Sequence, residues 1–224
     1  MPVTPPRDGV AINYEVHGDG PPLLLVSGTG HDLGFWAGQI PRFSTSFRTI
    51  VFDNRGVGAS SVPNPGYSLA DMADDAAHLL DSLRIDAAHV MGFSMGGHIA
   101  QELTLNHRAR VLSLGIHHSW TRNGARLKKF QETRLYLARN DQRVALAEIS
   151  MLALHASAYY DAHVAEMDAH RQFLLEKSPV NAGWIGQLEA CIVGDTYDRL
   201  PTINVPTLIT CSNLDLIASP HLSA

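Results

Sequence analysis

The stretch Gly92-Phe93-Ser94-Met95-Gly96 sets one serine between two glycines, directly after an apolar run at 87–91 and directly before a helical pattern at 95–107. A strand that turns into a helix over so few residues makes a sharp corner, where side chains at the flanking glycines would collide with neighbouring backbone and positive φ is called for. The serine hydroxyl is thereby held out at the sheet edge, which is the local chemistry of a nucleophile elbow. The helix that follows points its free N-terminal N–H groups and the positive end of its dipole at the space beside Ser94, where an oxyanion would be stabilised.

A G-x-S-x-G string is common by itself, and its surroundings give it weight. Leu23-Leu24-Leu25-Val26 reads as a buried strand running into Ser27-Gly28-Thr29-Gly30. Thr49-Ile50-Val51-Phe52 reads as a second, running into Asp53-Asn54-Arg55-Gly56-Val57-Gly58-Ala59-Ser60. Parallel α/β sheets gather their functional groups at the carboxyl ends of strands, so three such glycine-marked turns are expected to converge on one crevice.

In that order, the D-x-R-G-x-G-x-S string at 53–60, the elbow at Ser94 and the Ser27-Gly28-Thr29 turn followed by Trp36 resemble the α/β-hydrolases over nearly the whole chain. The nearest flavour is the branch of small enol-lactonases and aminoacrylate-hydrolase-like proteins. The resemblance implies a doubly wound, mostly parallel sheet with an inserted helical cap. It also implies a serine hydrolase cleaving a small carboxylic ester, lactone or related acyl bond, with Ser94 as nucleophile and the backbone N–H groups of Thr29 and Met95 as oxyanion donors. Gly28, Gly92 and Gly96 would support that geometry, Ser27 stands where the family usually carries a histidine, and the chemistry needs no cofactor.

In this family the catalytic residues follow the order serine, acid, histidine. Asp215 closes Cys211-Ser212-Asn213-Leu214-Asp215 where the acid is expected, although an aspartate after a strand also serves as a turn former. The histidine normally follows one further strand, whereas nine residues remain after Asp215, and His221 stands too near the acid in sequence to sit beside Ser94. Three explanations stay open. The favoured one is a truncated form of a longer hydrolase, impaired or inactive as it stands. The second is replacement by another histidine, with His117 and His118 at the end of a strand and His31 after the oxyanion turn as candidates. The third is a non-catalytic, hydrolase-like small-molecule binding protein. Loss of a final strand would leave an open sheet edge, so a homodimer or strand exchange is expected.

Length and composition agree with one domain: 224 residues, 45% hydrophobic, formal net charge −5. The expected division is a core of 1–118 and 190–224, C-terminally incomplete, with a cap at 119–189. The basic cluster Arg122, Arg126, Lys128 and Lys129 reads as the solvent face of a helix, so nucleic acid is not an expected partner. Cys191 and Cys211 fit no zinc spacing and read as reduced, buried thiols. The first ten residues carry no apolar leader and no run approaches the roughly 18 apolar residues of a membrane span, so no membrane and a cytoplasmic location are expected. His163, Glu166 and His170 share a helix face but read as solvated, so no metal is expected. The Gly28-Thr29-Gly30 turn and Asp53 imitate a dinucleotide fingerprint whose third glycine, Gly34, falls one position late.

Elsewhere, 10–16 alternates like a strand forming a hairpin with the Leu23 strand, and 34–43 reads as one short helix. Ser68 is the expected N-cap of a longer helix, with Asp71 three positions on and a stripe of Leu69, Met72, Ala76, Leu79, Leu80 and Leu83. His98, four residues beyond Ser94, reads as packed or capping. After a strand at 111–116, only helical periodicity appears through 119–189, broken at Gly124, Ser178-Pro179 and Gly183. Met151, Leu152, Leu154, Tyr159, Tyr160 and Trp184 read there as packing surface, and strand character returns at 205–210.

Overall fold

The computed structural model describes residues 2–177 and 180–222. Six strands form one sheet: β1 (Tyr14–His17), β2 (Pro22–Val26), β3 (Arg48–Phe52), β4 (Ala88–Phe93), β5 (Val111–His117) and β6 (Thr207–Thr210), in the order β1-β3-β2-β4-β5-β6. All neighbours are parallel except β1, which runs antiparallel to β3. Leu24 and Val26 of β2 enter the core on one face, while Leu23 and Leu25 meet Trp36 and Val51 on the other. Burial of both faces is what makes the strand read as an unbroken apolar run.

The expected hairpin between the first strand and β2 does not form. Both edges of β2 are occupied by β3 and β4, and β1 is carried over to β3, with Glu15 opposite Val51. Asn13 secures the crossing: its carbonyl accepts from Asp53 N at 3.0 Å and its amide donates to the Asp53 carboxylate at 2.7 Å.

The segment expected as one helix at 34–43 divides into a 3-10 turn, Leu33–Trp36, and α1 (Ile40–Phe43), because Pro41 has no N–H to continue a helix and starts a new one. α2 (Leu69–Ser82) carries the predicted capping box between Ser68 and Asp71, and its stripe is buried from Leu69 to Leu80. α3 (Met95–Asn106) packs beside α2 on the same face of the sheet. His98 lies in that layer, fully buried against Trp120, as expected.

Between β5 and β6 the described residues form α4 (Ala125–Arg139), α5 (Arg143–Leu154), α6 (Ser157–Ala162), α7 (Val164–Lys177) and α8 (Ala182–Val193). Gly124 is the N-cap of α4, and Ser178-Pro179 lies outside the described residues. Gly183 is not a break. It sits in the first turn of α8, behind the N-cap Asn181, because helix and turn meet backbone to backbone there: a Cβ on Gly183 would fall 2.2 Å from Gly56 Cα. Tyr67 Oη donates to Gly183 O at 2.6 Å. Gln187 donates to Arg55 O and accepts from Gly30 N, both at 2.8 Å, so α8 is clamped to the turns after β2 and β3.

Both cysteines are free, but only Cys191 is buried; Cys211 is exposed because β6 is an edge strand whose side chains largely face outward. No helix among the described residues is long and apolar enough to cross a membrane. Gly183→Ala is expected to lower stability by about 1–3 kcal/mol, since backbone on both sides leaves the added methyl no place to relax; urea unfolding of the variant beside the parent protein measures it.

Candidate active site

The connection from β4 to α3 consists of Ser94 alone, and it adopts φ 55° and ψ −120°. An L-residue is strained in that region, at about 1–3 kcal/mol, and persists only where its surroundings leave no alternative. Two glycines supply the surroundings. A Cβ on Gly92 would lie 2.1 Å from Gly96 O, and one on Gly96 would lie 2.1 Å from Val26 O, so α3 rests directly on its own strand and on the end of β2. Gly28 is tight rather than obligatory, its virtual Cβ standing 3.2 Å from Ser94 Cβ.

The elbow is also tied to the end of β5. Ser94 N donates to His117 O at 2.9 Å, and Ser119 Oγ donates to Ser94 O at 2.7 Å. Both chain neighbours of His118 therefore touch the backbone of Ser94, and the His118 ring stands 5.8 Å from the ring of Phe93. His118 itself has φ 49°. Its Nδ1 meets Asp215 Oδ2 at 2.9 Å, while Asp215 Oδ1 accepts from Ile217 N and Ala218 N at 2.8 Å each. A carboxylate can only accept, so the proton sits on Nδ1 of His118 and Nε2 is left basic. Asp215 is thus both a turn former and the partner of an imidazole.

Thr29, Ser94, His118 and Asp215 line one cavity of about 960 Å³, together with Val57 and Gly58 of the turn after β3. The expected convergence of three turns is present, and the ends of β5 and β6 join it. Among the described residues no acceptor takes up the amides of Thr29 or Met95; the latter is the first residue of α3 and has no carbonyl of its own helix to bond. Ser27 is fully buried below them.

The other candidate histidines are engaged elsewhere. His117 points its Nδ1 at Thr210 Oγ1 of β6. His31 stacks on Phe35 at 4.5 Å, and burial, with the charge of Arg134 and then His170 adding to it, takes its pKa down to about 4, a poor match for a base at neutral pH. The side chain of His221 lies outside the described residues. His118 was legible as a candidate but not as the choice among them; the missing signal was that β5 and β6 pair in parallel with His117 opposite Thr210, which returns the chain to His118 five residues later.

Several other expectations are corrected or given a physical reason. Leu154 and Trp184 line the cavity rather than serving only as packing surface, whereas Leu152 is largely exposed. His163 and Glu166 are exposed as expected, but His170 faces the cavity. No group of three or more histidine, cysteine or carboxylate side chains among the described residues could hold a metal ion. Asp53 is buried and consumed internally, accepting from Asn13 Nδ2 and Leu33 N at 2.7 Å and from Ala59 N at 2.8 Å, so it organises the turn.

This architecture and this corner are those of one large group: the chain belongs to the α/β-hydrolase fold family, whose profile matches residues 21–224. The protein named carbamate hydrolase RutD of Azorhizobium caulinodans is 30% identical over 210 residues, covering 94% of this chain and 79% of that one. Its namesake in Serratia proteamaculans is 32% identical over 205 residues, covering 91% and 76%. Among solved structures, the enol-lactonase of Burkholderia xenovorans superposes with a TM-score of 0.87 at 26% identity, covering 96% of this chain and 83% of that one. A hydrolase from Pseudomonas aeruginosa gives 0.89 at 26% identity, covering 99% and 83%.

Two measurements bear on the site's geometry. Ser94→Gly is expected to gain about 1 kcal/mol in denaturant unfolding, because glycine accepts the corner conformation without strain, while Ser94→Ala keeps the strain and shows no such gain. His31 and His98 both titrate near 4 in the folded protein, with burial as the leading cause, and near 6.5 when unfolded. The unfolded chain therefore binds more protons between those values. Stability is fully present above about pH 6.5 and falls by about 1.4 kcal/mol per pH unit for each group as pH drops toward 4, which an unfolding series across that range measures.

Proposed function

We propose that the protein is a serine hydrolase that cleaves a small ester, lactone or related acyl bond, carbamate included, through an acyl-enzyme on Ser94. The observation that carries the reading is a strained serine at the N-terminus of a helix, sharing one cavity with a histidine that is hydrogen-bonded to a half-buried carboxylate. Strain stored at a single exposed hydroxyl has a reason if that hydroxyl reacts. The named relatives, hydrolases of carbamate and enol-lactone type, agree with the bond class.

In this mechanism His118 Nε2 takes the proton of Ser94 Oγ as the oxygen attacks the acyl carbon, and Asp215 keeps the imidazole in the productive tautomer and balances the imidazolium. The carbonyl oxygen becomes an anion held by the N–H groups of Thr29 and Met95, aided by the dipole of α3. Collapse expels the alcohol or amine, which leaves with the proton from His118. Water then attacks the acyl-enzyme, His118 takes its proton and returns it to Ser94 Oγ, and the carboxylic acid departs. The helices α4 to α8 act as a cap that closes the crevice over the acyl group.

A fluorophosphonate probe should label the protein once, at Ser94, and leave Ser94→Ala unlabelled. His118→Ala is expected to slow hydrolysis of short 4-nitrophenyl esters by about 10²–10⁴-fold. Labelling that is unaffected by either substitution would overturn the assignment.

A further inference from the structure

His31 is a polar ring in an apolar clamp. It follows Thr29 by two residues on the turn after β2, and its backbone N–H closes that turn onto Gly28 O at 3.2 Å. The imidazole stacks on Phe35 at 4.5 Å, lies 6.5 Å from the ring of Phe93 and borders the same cavity as Ser94. No carboxylate among the described residues meets it, and its enclosed Nδ1 has no hydrogen-bond partner among them. A buried polar atom left unpaired costs free energy, and phenylalanine would fill the same stack without that cost. An imidazole here has a reason if a ligand completes its hydrogen bonding.

The place of the ring narrows what that ligand atom is. A Cβ on Gly28 would stand 3.2 Å from His31 Nδ1 and equally far from Ser94 Cβ, so the two atoms are at most twice that distance apart. Burial, then the charge of Arg134, then that of His170 take the pKa of His31 down to about 4, so the ring is neutral at neutral pH. A neutral imidazole carries one N–H and one lone pair. A proton on Nδ1 would be sealed from every acceptor, so it sits on Nε2, which keeps access to the cavity. Two imidazoles thus neighbour Phe93: His118, held by Asp215, and His31, with no carboxylate. The first is equipped to gain a proton, the second to stay neutral and donate a hydrogen bond.

We infer that His31 is a specificity group of this site, its Nε2–H donating to an uncharged ether, hydroxyl or keto oxygen on the carbon next to the reacting carbonyl, on the acyl side of the substrate. The inference rests on the serine-hydrolase reading above and deepens it by naming a substrate class. Nδ1 is so near Ser94 that the ring addresses only the first atoms of an acyl group bound to Oγ. The leaving side belongs to His118, which hands it a proton. An uncharged acceptor suits a neutral donor, because neither brings an unpaired charge into the enclosure. A site that offers such a bond discriminates against the analogue that lacks the acceptor.

The test compares 4-nitrophenyl methoxyacetate with 4-nitrophenyl butyrate, whose acyl chains are of equal length and differ by one ether oxygen in place of a methylene. Each kcat/KM is divided by the ester's own hydroxide-catalysed rate constant, which removes the difference in intrinsic reactivity. On that scale the parent protein is expected to favour the methoxyacetate. His31→Phe keeps the stack on Phe35 and is expected to lower the preference by about 10-fold, and His31→Gln, which returns an N–H donor, to restore part of it. A parent protein that favours the butyrate, or a preference unchanged in His31→Phe, overturns the inference. Failure of the nucleophile assignment is read separately in Ser94→Ala, where no turnover is needed: N-methylmethoxyacetamide and N-methylbutanamide are titrated in and the histidine rings followed by nitrogen NMR. A His31 Nε2–H signal, assigned by its loss in Ser94→Ala/His31→Phe, that shifts with the ether amide and not with the alkyl amide supports the donor even if neither ester is cleaved. Equal response to both amides, response to neither, or a proton found on Nδ1 refutes it.

Discussion

The structure depends on a strand and a helix joined by one residue. With no loop between β4 and α3, the backbone of α3 must lie against its own strand, and the two virtual methyl contacts of 2.1 Å at Gly92 and Gly96 show how completely that approach excludes side chains. The corner residue then has no choice but φ 55°. Met95, Ile99 and Leu103, which follow the corner, are fully buried in the main core, and their burial offsets the strain. The hydroxyl of Ser94 is exposed to the cavity as a result of packing, not of any interaction the hydroxyl makes.

A second constraint holds the roof of the site to its floor. The turn after β3 is organised from inside by Asp53, whose two oxygens accept three donors, from Asn13 just before β1, from the 3-10 turn and from the turn itself. From outside, Arg55 is gripped by Asp75 of α2 at 2.6 and 2.7 Å. Such a rigid turn can accept a helix at backbone contact, and Gly56 against Gly183 is that contact. Gln187 extends the same grip to Gly30, so one side chain of α8 spans the turns after two different strands. The cavity between them has its size set by hydrogen bonds rather than by apolar packing alone.

Charge inside the cavity is unevenly distributed. Asp215 accepts the Nδ1 proton of His118, burial keeps His31 neutral, and Arg134 stands over an indole with no carboxylate among the described residues paired to it. In a low-dielectric enclosure such an imbalance acts at longer range than in water.

The sequence by itself determined the elements whose causes are local. The glycine spacing around Ser94, the apolar runs of β2 and β3, the Ser68–Asp71 capping box and the amphipathic stripe of α2 all act within a few residues of where they are written, so they could be read and were found in place. Glycine at 183 was misread as a helix break because its reason, the backbone of Gly56, lies over a hundred positions away. The pairing of β1 with β3 in place of β2 was hidden for the same reason, since a short strand shows its apolar pattern but not its neighbour. Which of three histidines meets Asp215 was decided only when β5 and β6 came together at one cavity. Proximity between residues distant in the chain is a property of the folded packing, and no local pattern encodes it.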